Sequence, residues 1–157
     1  MQYILMALFV AAVTMADQIT KWLVVENIPL HGHVDAIPGL FHLTYAQNTG
    51  AAFSAFEGMQ WLFALIFLLF TAGVIYEYFK KPMPFTKLER WCIAAIYGGG
   101  VGNMIDRIFR GGQVIDFIHL HFMPYFPVFN IADCAVCIGA GLLMLYFITD
   151  MVKDYKK

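Results

Sequence analysis

Four apolar stretches constrain this chain more than any other feature. They run from Met1 to about Val25, Met59 to Phe79, Trp91 to about Ile108, and Phe129 to about Met151. Each is close to the ~20 residues that a helix rising ~1.5 Å per residue needs to cross ~30 Å of hydrocarbon. Inside hydrocarbon the backbone must satisfy its own hydrogen bonds, and stretches of this length do so as helices. Composition agrees: 61% of the 157 residues are hydrophobic and 13% are charged, against about 25% charged in soluble domains. The predicted class is an α-helical integral membrane protein with four transmembrane helices in a single membrane-embedded domain over 1–157. The first stretch is expected to be a retained helix rather than a cleaved leader. No positive charge precedes it, and it continues past Ala16 into polar residues with a use.

Lysine and arginine fix the expected orientation. The segment from Glu26 to Gln60 has neither, whereas the second link holds Lys80, Lys81, Lys87 and Arg90, and the C-terminal tail holds Lys153, Lys156 and Lys157. Seven of the ten basic residues therefore share one side, which the positive-inside rule makes cytoplasmic together with both termini. Arg107 and Arg110 are the external exceptions. A formal net charge of -1 and no long basic run give no reason to expect nucleic acid.

The first external link, about 26–58, is expected to be β-rich. In "LFHLTYAQN" (Leu40 to Asn48), Phe41, Leu43 and Tyr45 alternate with His42, Thr44 and Ala46, the two-residue period of a half-buried strand. Pro29, Gly32, Pro38 and Gly39 mark turns. The other external link, 109–128, contains "HLHFMPYFP", which suits a short interfacial element able to cover a site.

With that topology, the polar residues fall at one depth. Asp17 and Lys21 come late in the first span, Asn48 just before the second, Asn103 and Asp106 at the outer end of the third, Asp116 in the external link, and Asn130 and Asp133 at the head of the fourth. Ionisable groups in a membrane cost a few kcal/mol or more and usually face a protein interior or a wet cavity. A shared depth from all parts of the chain therefore points to a site. Each pair also has a structural reading. Asp17 and Lys21 have the i,i+4 spacing of an intrahelical ion pair. Asn130 and Asp133 have the spacing of an N-cap and its N3 partner. Asn103 and Asp106 sit at a helix C-terminus, where a carboxylate opposes the dipole, so capping explains them poorly; an interaction of Asp106 with Arg107 or Arg110 is the structural account. Gly98, Gly99, Gly100 and Gly102 would weaken an isolated helix and are expected to permit close helix packing.

Four of the five histidines occur as His31-x-His33 and His119-x-His121, the latter three residues after Asp116. Without a His-Glu-x-x-His pattern, surface or interfacial histidines are the expectation, and no metal is assigned. Cys134-x-x-Cys137 on the fourth span suits small buried hydrophobes better than a redox pair, because the remaining cysteine, Cys92, is at the cytoplasmic start of the third span.

The motifs "DQITK" (Asp17 to Lys21), "NTGAAFS" (Asn48 to Ser54), "GNMIDR" (Gly102 to Arg107), "VIDF" (Val114 to Phe117) and "FNIAD" (Phe129 to Asp133) together resemble the lipoprotein signal peptidase family, membrane aspartyl proteases of the type II signal peptidase kind. They occur in the family's order and cover nearly the whole chain. The segment "IFRGGQVI" (Ile108 to Ile115) is slightly longer than the family pattern, and "VIDF" restores the register. The resemblance implies four transmembrane helices, a small external β-cradle and a short external interfacial helix over the site. It implies Asp116 and Asp133 as the catalytic pair. Asp17, Lys21, Asn48, Gly50, Asn103, Asp106, Arg107 and Asn130 correspond to supporting or substrate-binding positions. It also implies a bacterial cytoplasmic-membrane enzyme, active near the outer face without cofactor or metal, in contact with membrane lipid. The implied substrates are diacylglyceryl-modified prolipoproteins, cut before the lipidated cysteine by water activated between two aspartates.

Composition alone leaves other classes. An ion-coupled transporter would want polar groups through the membrane depth, but the second span offers only Thr71 and Glu77. A membrane thiol oxidoreductase would need relay cysteines outside. A non-enzymatic assembly subunit would not explain the common depth.

Overall fold

The computed structural model describes residues 2–50, 58–79 and 85–156. Residues 51–57, which include the second half of "NTGAAFS", lie outside the described residues, as do Lys80, Lys81 and Lys157. The chain runs α1 (Gln2–Asn27), β1 (His33–Ile37), β2 (Phe41–Asn48), α2 (Gln60–Phe79), α3 (Lys87–Phe109), β3 (Val114–Leu120) and α4 (Ile131–Tyr155). The four expected spans thus each correspond to a helix. By length and composition α1, α2 and α4 are apolar and long enough to cross a membrane. α3 is long enough but has Lys87, Glu89 and Arg90 in its first turn and Asp106 and Arg107 in its last.

α3 packs between α1 and α4, and α2 leans chiefly on α3, with Phe67 stacked on Tyr97 at 5.5 Å, while Tyr78 of α2 meets Tyr3 of α1 edge-on at 5.2 Å. The glycine run explains the tight contacts of α3 with both α4 and α1. A Cβ on Gly99 would fall on the Ala132 carbonyl oxygen, and one on Gly102 would lie 2.6 Å from Asp17 Oδ2. α2 contributes no buried residue, and large apolar side chains such as Leu8, Trp61, Leu68, Ile138 and Met144 are exposed on the helices. Outward-facing apolar surface of this extent is what lipid covers.

β1, β2 and β3 form an antiparallel sheet in that order. β2 matches the alternating segment read from the sequence, with a register irregularity between Leu43 and Ala46. Leu43 and Tyr45 pack on a core of Val24, Ile28, Ile115 and Phe117, which seats the sheet against the end of α1. The link 109–128 corrects one expectation. It contributes the strand β3, followed by turns, and no helix occurs there; among the described residues there is no short external helix. The physical reason is pairing: Val114–Leu120 finds a free edge on β2, which satisfies its backbone groups better than an isolated turn of helix at an interface.

Candidate active site

The site is built where the C-terminal parts of α1 and α3 meet the start of α4 and the inner end of the sheet. β3 delivers Asp116, paired with Ala46 of β2. Phe129 then bridges to Ile118, with Phe117 and Ile118 N–H both donating to the Phe129 carbonyl. That short bridge sets Asn130, the N-cap of α4, beside Asp116.

Asn130 is the hub. Its side-chain oxygen accepts from Asp133 N–H at 2.8 Å, and its own N–H donates to Asp133 Oδ2 at 3.2 Å, completing a capping box. Its Nδ2 donates to Asp116 Oδ1 at 2.6 Å and reaches Asn103 Oδ1 at 3.2 Å. The capping reading of the Asn130–Asp133 spacing therefore holds, and the residue that caps α4 also holds Asp116. The remaining carboxylate oxygens are also held: Asn48 Nδ2 donates to Asp116 Oδ2 at 2.9 Å, and Asn103 Nδ2 donates to Asp133 Oδ1 at 2.8 Å.

Behind this layer lies a buried ionic cluster. Lys21 Nζ touches Asp17 Oδ2 at 2.8 Å, Asp106 Oδ2 at 2.9 Å and Asn103 Oδ1 at 3.0 Å, so its three N–H donors each have an acceptor. Lys21, Asp17 and Asp106 are fully buried. Burial of that kind is tolerable only when every charge is paired and hydrogen-bonded. Each acid of the cluster also accepts from the backbone N–H just before one aspartate of the site. Asp106 Oδ2 accepts from Ile115 N–H at 3.0 Å, one residue before Asp116. Asp17 Oδ1 accepts from Ala132 N–H at 2.9 Å, one residue before Asp133. The intrahelical Asp17–Lys21 pair exists, but its partner across the bundle is what gives it a structural role. Asp106 also pairs with Arg110 at 3.2 Å.

Arg107 points elsewhere. Its guanidinium donates to the Gly50 carbonyl at 2.7 Å and the Gly112 carbonyl at 3.1 Å, and lies 4.1 Å over the Phe63 ring. Gly50 N–H in turn donates to Asn48 Oδ1 at 2.9 Å. Every residue singled out from the sequence, namely Asp17, Lys21, Asn48, Gly50, Asn103, Asp106, Arg107, Asp116, Asn130 and Asp133, thus falls in one connected network. Gln18 was missed. Its amide reaches the Gly102 carbonyl at 3.0 Å, Asp17 Oδ2 at 3.2 Å and Asp106 Oδ1 at 3.3 Å. Its place inside "DQITK" was the available signal.

Electrostatics distinguish Asp116. It is 3% exposed, and burial first, then the neighbouring Asp133 charge, raises its pKa from 3.8 to about 7; the Asn48 and Asn130 amides pull in the other direction. A carboxyl group that keeps its proton near neutral pH beside a second carboxylate is the arrangement expected of an acid–base pair. The cysteines show no such organisation. All three are free thiols, Cys92 buried, Cys134 half-buried and Cys137 exposed, so the expectation of buried packing fails for Cys137, which α4 turns outward.

Residues 9–149 match the family described as signal peptidase (SPase) II. The chain belongs to the signal peptidase II family. The lipoprotein signal peptidase of Symbiobacterium thermophilum is 44% identical over 133 residues, covering 84% of this chain and 86% of that protein. The one from Halalkalibacterium halodurans is 40% identical over 146 residues, 92% of each chain. Two solved bacterial membrane enzymes share the fold. One, at 28% identity, has a TM-score of 0.86 over 97% of this chain and 92% of its own; the other, at 29% identity, has a TM-score of 0.80 over 92% and 93%. The chain is thus a bacterial membrane protease of the signal peptidase II kind, and the transporter and thiol oxidoreductase readings fall away.

Proposed function

We propose that Asp116 and Asp133 are the catalytic pair of this peptidase, and that its substrates are diacylglyceryl-prolipoproteins cut just before the lipidated cysteine. The observation that carries the reading is the joint anchoring of two carboxylates by Asn130, with the pKa of Asp116 raised to about 7. The pair shares one proton, and in this reading Asp116 carries it. Asp133 takes a proton from water as the water oxygen attacks the scissile carbonyl carbon, and Asp116 donates its proton to the carbonyl oxygen. In the collapse, a diol hydroxyl returns its proton to Asp116, the C–N bond breaks, and Asp133 protonates the departing amine. Neither metal nor nucleophilic side chain takes part.

The ionic cluster is a clamp for this geometry. Lys21 holds Asp106 and Asp17, which hold the backbone just before Asp116 and Asp133 respectively. Asn103 and Asn48 orient the two carboxylates, and Arg107 with Gly50 shapes the wall that a substrate strand would meet. α3 completes a set of four membrane spans: its 23 residues reach about 34 Å, and its charged residues fall at the two ends. The lysines and arginines favour cytoplasmic termini, with the pair at the outer face. At that depth the acyl chains stay in lipid while the peptide bond meets water.

Purified protein should cleave a diacylated precursor and not its non-lipidated form, and Asp116→Asn and Asp133→Asn should each insert and fold yet reduce cleavage to background. Normal processing by either variant would remove the assigned roles.

A further inference from the structure

The outer end of the sheet carries a cluster that proteolysis does not use. Strand register sets it: Asp35 of β1 lies opposite His42 of β2, and His42 lies opposite His119 of β3. His33 is two residues before Asp35, and His121 two after His119, so the two-residue period returns both to the same face. His42 Nδ1 is 2.9 Å from His121 Nε2, and His121 Nε2 is 3.6 Å from Asp35 Oδ1. These three ligand atoms all lie within 4.8 Å of one another. The His33 ring is 5.4 Å from that of His42. From this geometry we infer that the sheet end is a binding site for a divalent transition metal such as zinc, held by His42 Nδ1, His121 Nε2 and the Asp35 carboxylate, with His33 or water completing the shell.

Three observations carry the inference. Tetrahedral ligands at about 2.0–2.1 Å from zinc stand about 3.3 Å apart, and the 2.9 and 3.6 Å separations bracket that edge. The hydrogen-bond chain also presets the tautomer. His119 Nε2 faces the Pro124 carbonyl at 3.5 Å, which can only accept, so Nε2 carries the proton and His119 Nδ1 is an acceptor. His42 Nε2, 2.9 Å from that Nδ1, is then the donor, and His42 Nδ1 keeps its lone pair toward His121 and Asp35. A ligating imidazole whose other nitrogen donates to a fixed acceptor is the usual outer support of a metal site. Two imidazoles with one carboxylate favour zinc, copper or nickel over calcium or magnesium, which prefer all-oxygen shells. Binding displaces the His121 Nε2 proton to solvent or to its own Nδ1.

The cluster is separate from the catalytic pair. His119 is three residues from Asp116 along β3, about 10 Å, and by alternation on the opposite side of the strand. A metal here would tie β1, β2 and the end of β3 together without touching the reacting atoms, so the inference does not depend on the peptidase mechanism.

The test is zinc titration of the purified full chain, without an affinity tag, by calorimetry or equilibrium dialysis, with magnesium in parallel. One zinc ion per chain is expected, unaffected by excess magnesium and abolished in His42→Ala and His121→Ala. His119→Ala should bind roughly 10–100-fold more weakly, and His31→Ala should match the parent. Retained peptidase activity in each variant reports an intact fold. Cobalt bound to the parent chain should give the visible absorption of a tetrahedral site. Lack of stoichiometric zinc binding, equal binding by His42→Ala and His121→Ala, or absence of the cobalt spectrum would each overturn the site.

Discussion

Replacing Asn48 with alanine tests the electrostatics of the proposed catalytic pair most directly. Asn48 Nδ2 donates to Asp116 Oδ2 at 2.9 Å, and this bond favours the ionised carboxylate. A hydrogen bond to a charged group contributes about 1.5–3 kcal/mol, part of which the protonated form also enjoys. If about half is specific to the charged form, the loss converts, at 1.36 kcal/mol per unit, to roughly one pKa unit. Its direction is upward, because the variant disfavours the carboxylate. With Asp116 as the acid of the proposed mechanism, kcat/KM should fall as pH rises through about 7 in the parent and through a value roughly one unit higher in Asn48→Ala. Stability follows the same sign. An acid whose folded pKa exceeds its ordinary 3.8 stabilises the fold fully below 3.8, and that contribution is lost as pH rises from 3.8 to about 7. The variant extends this window upward. Asn48 also accepts from Gly50 N–H, so substrate binding can weaken, but that changes the height of the profile and not the position of its limb. The assay is cleavage of a lipidated reporter across pH in lipid nanodiscs. A high-pH limb that stays put or moves downward, in protein with an unchanged thermal transition, would refute the reasoning.

Lys21→Met should destabilise the fold by about 3–5 kcal/mol, because Asp17 and Asp106 lose their shared cation in a fully buried setting; thermal unfolding in detergent measures it, and adding Asp106→Asn should restore part of the loss. Gly99→Ala should cost about 1–3 kcal/mol or more, since the new methyl meets the Ala132 carbonyl at the close approach of α3 and α4; activity should fall with it, because Ala132 adjoins Asp133. The double variant Cys134→Ala, Cys137→Ala should cleave the lipidated reporter at a rate within twofold of the parent, about 0.4 kcal/mol, as neither thiol takes part in the carboxylate network.

Solvent chemistry made much of this protein legible without coordinates. A run of about twenty apolar residues has few options in lipid beyond a helix, so α1, α2, α3 and α4 fall where hydropathy puts them, displaced by a few residues. Charged groups in such a chain must find partners, so Asp17, Lys21, Asp106 and Asp133 announced themselves by their cost. Partner identity was another matter. The sequence offers Arg107 or Arg110 to Asp106; the i,i+4 pair with Arg110 forms within α3, while packing through Gly99 and Gly102 brings Lys21 of α1 against it as well. The segment after α3 gave no sign of being a strand, because β3 exists only through pairing with β2. His42 gave no metal signal either; it joined the cluster through cross-strand register with Asp35 and His119. The amino-acid order alone determined which segments enter the membrane and which groups could not be left alone there, since both are local balances between side chain and solvent. Tertiary structure decided which groups meet, since contacts between residues as far apart as Asp17 and Ala132 are set by packing and register, and neither is encoded in any short stretch of chain.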